Sequence, residues 1–378
     1  MKKTIILIAI VILMIVPILS YAKPFAYLVA DDEIIKLDTV TDTIVSRQKT
    51  TSNDLEGNLS LNDAGCAVDT INKYLITLYK PSRLGSEDQS GFFVYNLQTL
   101  NKIKFAPFPA VIKDPAMMGR IIYPQLGPKF YIAIEDATLN NGQGGMINLV
   151  YEKKTFNYLG AASNILNKYI ERFWFSEDQA KIYVDTIESN IRIYDSQTLQ
   201  QIGSVDLSNV FNKNVWGKDI EDIKNKIALL AENIKIQNDD KNNIAFLTYN
   251  LDDTTITPRV ITNMDDNVIL LTPDSKKILF NETSPLVFGP KAPRKTASST
   301  GHIYIYDVKT GNRIGFVTLP TDFAEKIHGI RPTGDKLYYE MYSRDSSKIK
   351  LYVVDIVNYK ILKSISVPDI NFMVFFEE

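Results

Sequence analysis

Catalysis needs side chains that hold metals, move protons or attack carbon, and this 378-residue chain is sparing with them: His302 and His328 are its only histidines and Cys66 its only cysteine. That is too little for the usual His/Cys zinc site. The sequence also has no His-Glu-x-x-His, Gly-x-Ser-x-Gly or phosphate-loop pattern. The run Asn238-Asp239-Asp240-Lys241-Asn242-Asn243 lacks the alternating ligands and terminal Glu of a calcium loop, so it reads as a polar loop. The chain is therefore expected to carry no metal, no cofactor and no catalytic residues, and it reads as a binder rather than an enzyme. Cys66, within Cys66-Ala67-Val68, reads as a small buried hydrophobe, and no internal disulfide is possible.

The groups that stand out are cationic. Lys291, Arg294 and Lys295 sit among Pro285, Pro290 and Pro293, making residues 281–300 a partly stiffened basic loop. Such a loop suits an anionic ligand or an acidic patch on a partner, the alternative being a merely solvated loop. When the repeats described below are aligned, Arg120 and Arg172 fall at one position of neighbouring units. His328 falls one position further on in the last unit. An arginine pair can hold a carboxylate or phosphate through bidentate hydrogen bonds. Glu171, beside Arg172, offers the competing reading of a structural ion pair.

The elements that position these groups follow from a repeat. The strings IIKLDTVT (34–41), FFVYNLQT (92–99), IRIYDSQT (191–198) and IYIYDVKT (303–310) share one layout, with weaker copies ending at Tyr151, Asn250 and Asp355. β-Branched and aromatic residues suit a pleated strand, and the Asp or Asn can bond backbone groups two residues on, so it starts a turn. The aspartates are turn-makers before they are anything else. Seven copies with a spacing near 50 residues point to a propeller or solenoid. A second unit precedes several of these pairs: WFSEDQAKIYV (174–184), LTPDSKKILF (271–280) and IRPTGDKLYY (330–339). Each reads as strand, turn, strand, giving four antiparallel strands per repeat.

These residues resemble the YVTN-type (WD40-like) β-propeller family, whose repeat runs Ser-Pro-Asp-Gly, Lys, Leu-Tyr-Val and then a Val-Asp-x-x-Thr turn. The resemblance covers essentially the whole chain beyond residue 22. It departs in the third unit, where Tyr151 replaces the turn Asp, and in the fifth, where Ile223-Lys224-Asn225 replaces Pro-Asp-Gly. It implies an all-β, seven-bladed propeller spanning 23–378. The first blade is expected to be closed by the C-terminal strand Asn371–Phe376, since Phe25–Ala30 reads as a second strand with no first strand before it. The layout is also similar to the β-chain of quinoprotein amine dehydrogenases and to lactonase-like propeller hydrolases. A binding or scaffold propeller, a subunit of an exported redox complex and a hydrolase are thus three readings in descending order of support. Long intervals at 80–90, 136–145, 233–243 and 281–300, with a connection at 106–119, all fall on one face, which points to that face as the recognition surface, the alternative being drift in tolerated surface loops.

Residues 1–22 read as a signal peptide: Lys2 and Lys3, the apolar run Ile5–Val16, Pro17, then Ser20-Tyr21-Ala22. The apolar run is shorter than a spanning helix needs. Removing it leaves 356 residues with 40 basic and 44 acidic side chains, a net charge of −4. A mildly acidic chain with no basic block argues against nucleic acid as a partner. The expected partner is an envelope or secreted protein, or a small anionic ligand, met in a periplasm or outside the cell, with no transmembrane segment after cleavage. N-terminal sequencing of the exported product should begin at Lys23, and a product that retains Met1 would contradict cleavage.

Overall fold

The computed structural model describes residues 24–30, 33–49, 65–79, 89–113, 115–136, 138–139, 145–162, 170–176, 178–186, 190–206, 218–223, 226–231, 243–250, 256–262, 269–272, 276–281, 302–307, 309–320, 323–331, 333–343 and 349–377. Residues 1–22, read above as a signal peptide, lie outside them.

The repeated Asp or Asn does what its chemistry requires. Asp38 Oδ1 accepts from the Val40 and Thr41 amides at 2.8 and 3.0 Å. Asn96, Asp195 and Asp355 bind the amides two and three residues on in the same way, at 2.7 to 3.0 Å. Four residues beyond the Asp or Asn the backbone turns left-handed, at Asp42, Leu100, Leu199, Gly311 and Tyr359 (φ 54° to 71°). Only Gly311 adopts this freely; the others cost about 1–2 kcal/mol each. That cost is met because the residue's amide closes on the carbonyl of the Asp or Asn, as in Leu100 to Asn96 and Leu199 to Asp195, both 2.8 Å. A register shift marks the same hairpin each time, for instance between Val94 and Tyr95 and between Ile193 and Tyr194.

The third unit corrects the sequence reading. Tyr151 does not replace the turn residue but is a buried strand residue equivalent to Tyr95 and Tyr194, and Glu152 takes the turn position. Phe156 closes on the Glu152 carbonyl at 2.8 Å with φ 59°. A longer carboxylate side chain cannot cap the amides two residues on, so Glu152 instead bonds the Thr155 hydroxyl.

Among the described residues the strands form seven four-stranded antiparallel sheets. The first contains Ile370–Glu377, Pro24–Ala30, Glu33–Asp38 and Thr43–Lys49 in that order. The second has Cys66–Asp69, Tyr74–Tyr79, Gly91–Asn96 and Lys102–Pro107, and the third Pro115–Ile122, Lys129–Asp136, Gly145–Glu152 and Tyr158–Ala162. The fourth has Ile170–Phe175, Lys181–Thr186, Asn190–Asp195 and Gln201–Asp206, and the fifth Lys218–Ile223, Lys226–Ala231, Asn243–Asn250 and Ile256–Thr262. Ile269–Leu271, Lys277–Asn281, His302–Asp307 and Arg313–Thr318 make the sixth, and Phe323–Ile330, Lys336–Ser343, Ile349–Asp355 and Lys360–Ser366 the seventh. The connection read at 106–119 shortens to 108–114, because its ends belong to strands.

The tail strand enters the first sheet as its first strand, pairing Phe376 with Phe25 and Val374 with Tyr27. Second and third strands are apolar on both faces, as in Pro24–Ala30 and Gly91–Asn96, whereas fourth strands such as Gln201–Asp206 are largely exposed. Buried clusters therefore form between sheets rather than within them. Tyr27, Val29 and Phe376 pack on Val68, Leu75 and Phe93 of the second sheet. Ala26, Leu28 and Met373 pack on Tyr338, Leu351 and Val353 of the seventh. Cys66 is buried in the first of these clusters, and burial pushes its thiol up, as expected of a structural cysteine.

The turn carboxylates have a pH consequence. Amide and hydroxyl hydrogen bonds from Thr198, with the Gln197 amide, hold the Asp195 carboxyl below its ordinary value. A depressed folded-state value contributes stability above the unfolded value that is lost as pH falls through the folded one. Asp195→Ala should cost about 1 kcal/mol at neutral pH. Asp195→Asn, which keeps the acceptor, should cost little and flatten the acid limb. Urea denaturation across pH checks both, and an Asn variant as destabilised as Ala would contradict the capping role.

Candidate functional site

The two ends of the sheets differ in kind. At one end lie the first-to-second and third-to-fourth hairpins, short and tied to one another across sheets. Tyr27 Oη donates to the Leu97 carbonyl of the second sheet's hairpin at 2.8 Å, Tyr131 Oη to the Gln197 carbonyl at 2.9 Å, and Lys277 Nζ to the Ile356 carbonyl at 3.2 Å. Tyr27 and Tyr131 lie two residues past Phe25 and Lys129, which face the turn residues Asp38 and Glu152, and Lys277 faces Asp307 in the same way, so both positions at the start of a second strand can reach the next sheet's turn.

The contact between seventh and first sheets is the most elaborate. Lys336 Nζ donates to Asp42 Oδ2 at 2.6 Å and to the Thr39 and Val40 carbonyls, and Tyr338 Oη donates to Asp42 Oδ1 at 2.8 Å. Lys363 Nζ reaches the Asp42 carbonyl at 2.7 Å, and Arg331 spans Asp335 and the Thr39 carbonyl. Burial and the Asp42 hydrogen bond push the Tyr338 phenol far up. Burial also opposes ionisation of Asp335, but hydrogen bonds from Thr333 and Arg331 and the Arg331 charge outweigh it and hold the carboxyl down. A second such node joins sheets two and three: Tyr123 donates to Asp69, and Lys153 caps the Gln125 and Leu126 carbonyls. Burial lowers the Lys153 ammonium against the upward pull of Asp69. These groups tie neighbouring sheets to one another.

The other end carries the second-to-third intervals, and four are long: Tyr79 to Gly91, Asp136 to Gly145, Ala231 to Asn243 and Asn281 to His302. Lys291, Arg294 and Lys295 fall in the last, outside the described residues. Arg120 and Arg172 do share a register position: Lys129 and Lys181 face Glu152 and Asp195, and four residues further on Ala133 and Asp185 face Arg120 and Arg172. Arg120 is half-buried. In the seventh sheet the matching rung, opposite Glu340, holds Lys326. His328 lies at a bulge between the Ile327–Tyr339 and Gly329–Tyr338 pairs, off that rung. Sequence alignment missed Lys326 because a bulge shifts the count by one; Gly329, a glycine inside the strand, was the sequence sign of that bulge. Among the described residues, no group of three or more His, Cys, Asp or Glu could hold a metal ion.

Four-stranded antiparallel sheets of this construction, sharing buried clusters with their neighbours where side chains are described, make a β-propeller fold. No protein-family model and no curated protein matches the chain. Among solved structures it is similar to the dihydro-haem d1 dehydrogenase NirN (11% identity, 94% of this chain and 75% of that one, TM-score 0.54). It is also similar to a 6-phosphogluconolactonase-like protein of Bacteroides uniformis (14%, 93% and 99%, 0.53). A third is the β-propeller domain of the trilobed protease of Pyrococcus furiosus (14%, 82% and 86%, 0.50). At these identities the likeness shows the fold alone.

Asp42→Ala should lower stability by about 3 kcal/mol, because it strands the Lys336 ammonium in a site nearly closed to water. Tyr27→Phe, losing one hydrogen bond, should cost about 1 kcal/mol. Urea denaturation distinguishes them, and a small, equal loss in both would contradict the central place of Asp42.

Proposed function

We propose that the chain is an exported, seven-bladed β-propeller whose ring is closed by Ile370–Glu377, and that it works as a binding or scaffold module through its loop-bearing end. Seven sheets among the described residues and a core shared by the seventh and first support the ring. The propeller domain of the trilobed protease has an open velcro topology. Here the first sheet instead combines one C-terminal with three N-terminal strands.

The observation that carries the functional reading is the asymmetry of the two ends. Hairpins at one end are short and hydrogen-bonded sheet to sheet, while every long interval falls at the other. Loops on a rigid scaffold are the usual carriers of recognition. Within that end Lys291, Arg294 and Lys295, together with Arg120, Arg172 and His328, supply positive charge for an acidic partner surface or a small anionic ligand. A second reading, a propeller subunit of an exported redox complex, draws on the likeness to the dehydrogenase NirN; a partner with visible haem or quinone absorption would favour it.

The test is capture from envelope extract with residues 23–378, beside the variant with Lys291, Arg294 and Lys295 changed to Ala. One stoichiometric partner, lost with the triple change while the melting temperature holds, is the expected result. Capture that survives the change would move recognition away from this loop, and no capture would overturn the scaffold reading.

A further inference from the structure

Third strands obey one rule four positions before the turn residue. The side chain there is apolar in every sheet but the third: Ile34, Phe92, Ile191, Phe246, Ile303 and Leu351. Ile34, Phe92, Ile191, Ile303 and Leu351 are fully buried. The third sheet has Asn148 instead, and it is almost as closed to water, at 3% exposed. Its Oδ1 has no hydrogen-bond partner. A buried acceptor left unpaired is costly, so an amide kept at an apolar position of the repeat calls for a donor from outside the chain.

The side chains around Asn148 define that donor. Ile122, Tyr131 and Ala133 of the third sheet share a buried cluster with Ile182, Val184 and Tyr194 of the fourth. Arg120 and Asn148 both face Ala133 in register, so they lie on that same side of the third sheet, turned towards the fourth. Glu135, two residues past Ala133 and opposite Met146 of that cluster, lies on this side as well. From the fourth sheet, Arg192 faces Val184 in register and so lies on the side turned towards the third. Its position in the repeat is Ile35, Phe93, Leu149 and Tyr352 elsewhere, all buried, and Arg192 is the only cation there. The places where the two sheets give up apolar side chains thus meet across one seam. Arg120, Glu135 and Arg192 are half-buried. The small residues Ala133 and Ala162 flank Asn148 on its rung. Beyond Ser204, which faces Arg192, the exposed Asp206 ends the fourth strand. Guanidiniums and carboxylates together, around an unmet acceptor, suit a ligand that carries both signs of charge.

We propose that the seam between the third and fourth sheets binds a small zwitterion of the amino-acid type, its carboxylate held by Arg120 and Arg192 and its ammonium by Asn148 Oδ1 and Glu135. The site lies apart from residues 281–300 and does not depend on protein capture there. The test is equilibrium dialysis and thermal shift of residues 23–378 against each standard amino acid. At least one should bind saturably and raise the melting temperature. Its N-trimethyl betaine, which keeps both charges but has no N–H, should bind at least about tenfold more weakly. Asn148→Leu, the residue of the seventh sheet, should weaken binding at least about tenfold while melting no lower than the parent. Arg192→Gln should weaken it likewise, which keeps the test decisive if the leucine variant does not fold. Changing Lys291, Arg294 and Lys295 to Ala should leave binding intact, so loss of partner capture alone would count only against the scaffold reading. Binding that survives both seam variants, a betaine that binds as tightly as its parent, or no saturable binding by any amino acid overturns the proposal.

Discussion

A sheet whose second and third strands are apolar on both faces needs a neighbour on each side, and a linear stack of such sheets always leaves two faces bare. Everything else follows from how the end faces are covered. In the first sheet, Tyr27 and Val29 look to the second sheet while Ala26 and Leu28 look to the seventh. Because the tail strand Ile370–Glu377 joins Pro24–Ala30, that sheet belongs to both ends of the chain. The polar links at the same contact lie among Lys336, Tyr338, Lys363 and Asp42. Apolar burial supplies the drive there, and the buried ion pair, which contributes little net stability while intact, supplies the register.

This division of labour explains why the hairpin end is conservative in chemistry. Its carboxylates serve the backbone amides of their own turns, and its tyrosines and lysines serve carbonyls of the next sheet. The longest second-to-third intervals fall at the loop end, where added loop length costs little closure entropy. Under the proposed function, the same asymmetry separates a holding end from a recognising end.

Most of the fold was legible because its turn chemistry repeats. Asp38, Asn96, Asp195 and Asp355 announced their hairpins, and the unpaired strand at Phe25 called for the tail. The third hairpin was misplaced by one residue, because a search for Asp or Asn passes over Glu152. The partner of the repeat's tyrosine was not legible at all. It lies in another sheet some 66 to 70 residues away at Tyr131 and Tyr27, and local pattern carries no such distance. Of the candidate site, the shared rung of Arg120 and Arg172 was legible and Lys326 was not, since a single bulge at His328 displaces the count.

Joining of the two chain ends in one sheet is the claim on which the rest stands, and amide hydrogen exchange tests it most directly. Peptides covering 24–30 and 370–377 should exchange slowly and together, at the rate of global unfolding, because neither strand can leave without exposing the faces it covers. A tail that exchanges orders of magnitude faster than 24–30, while the second and third sheets stay protected, would contradict the account.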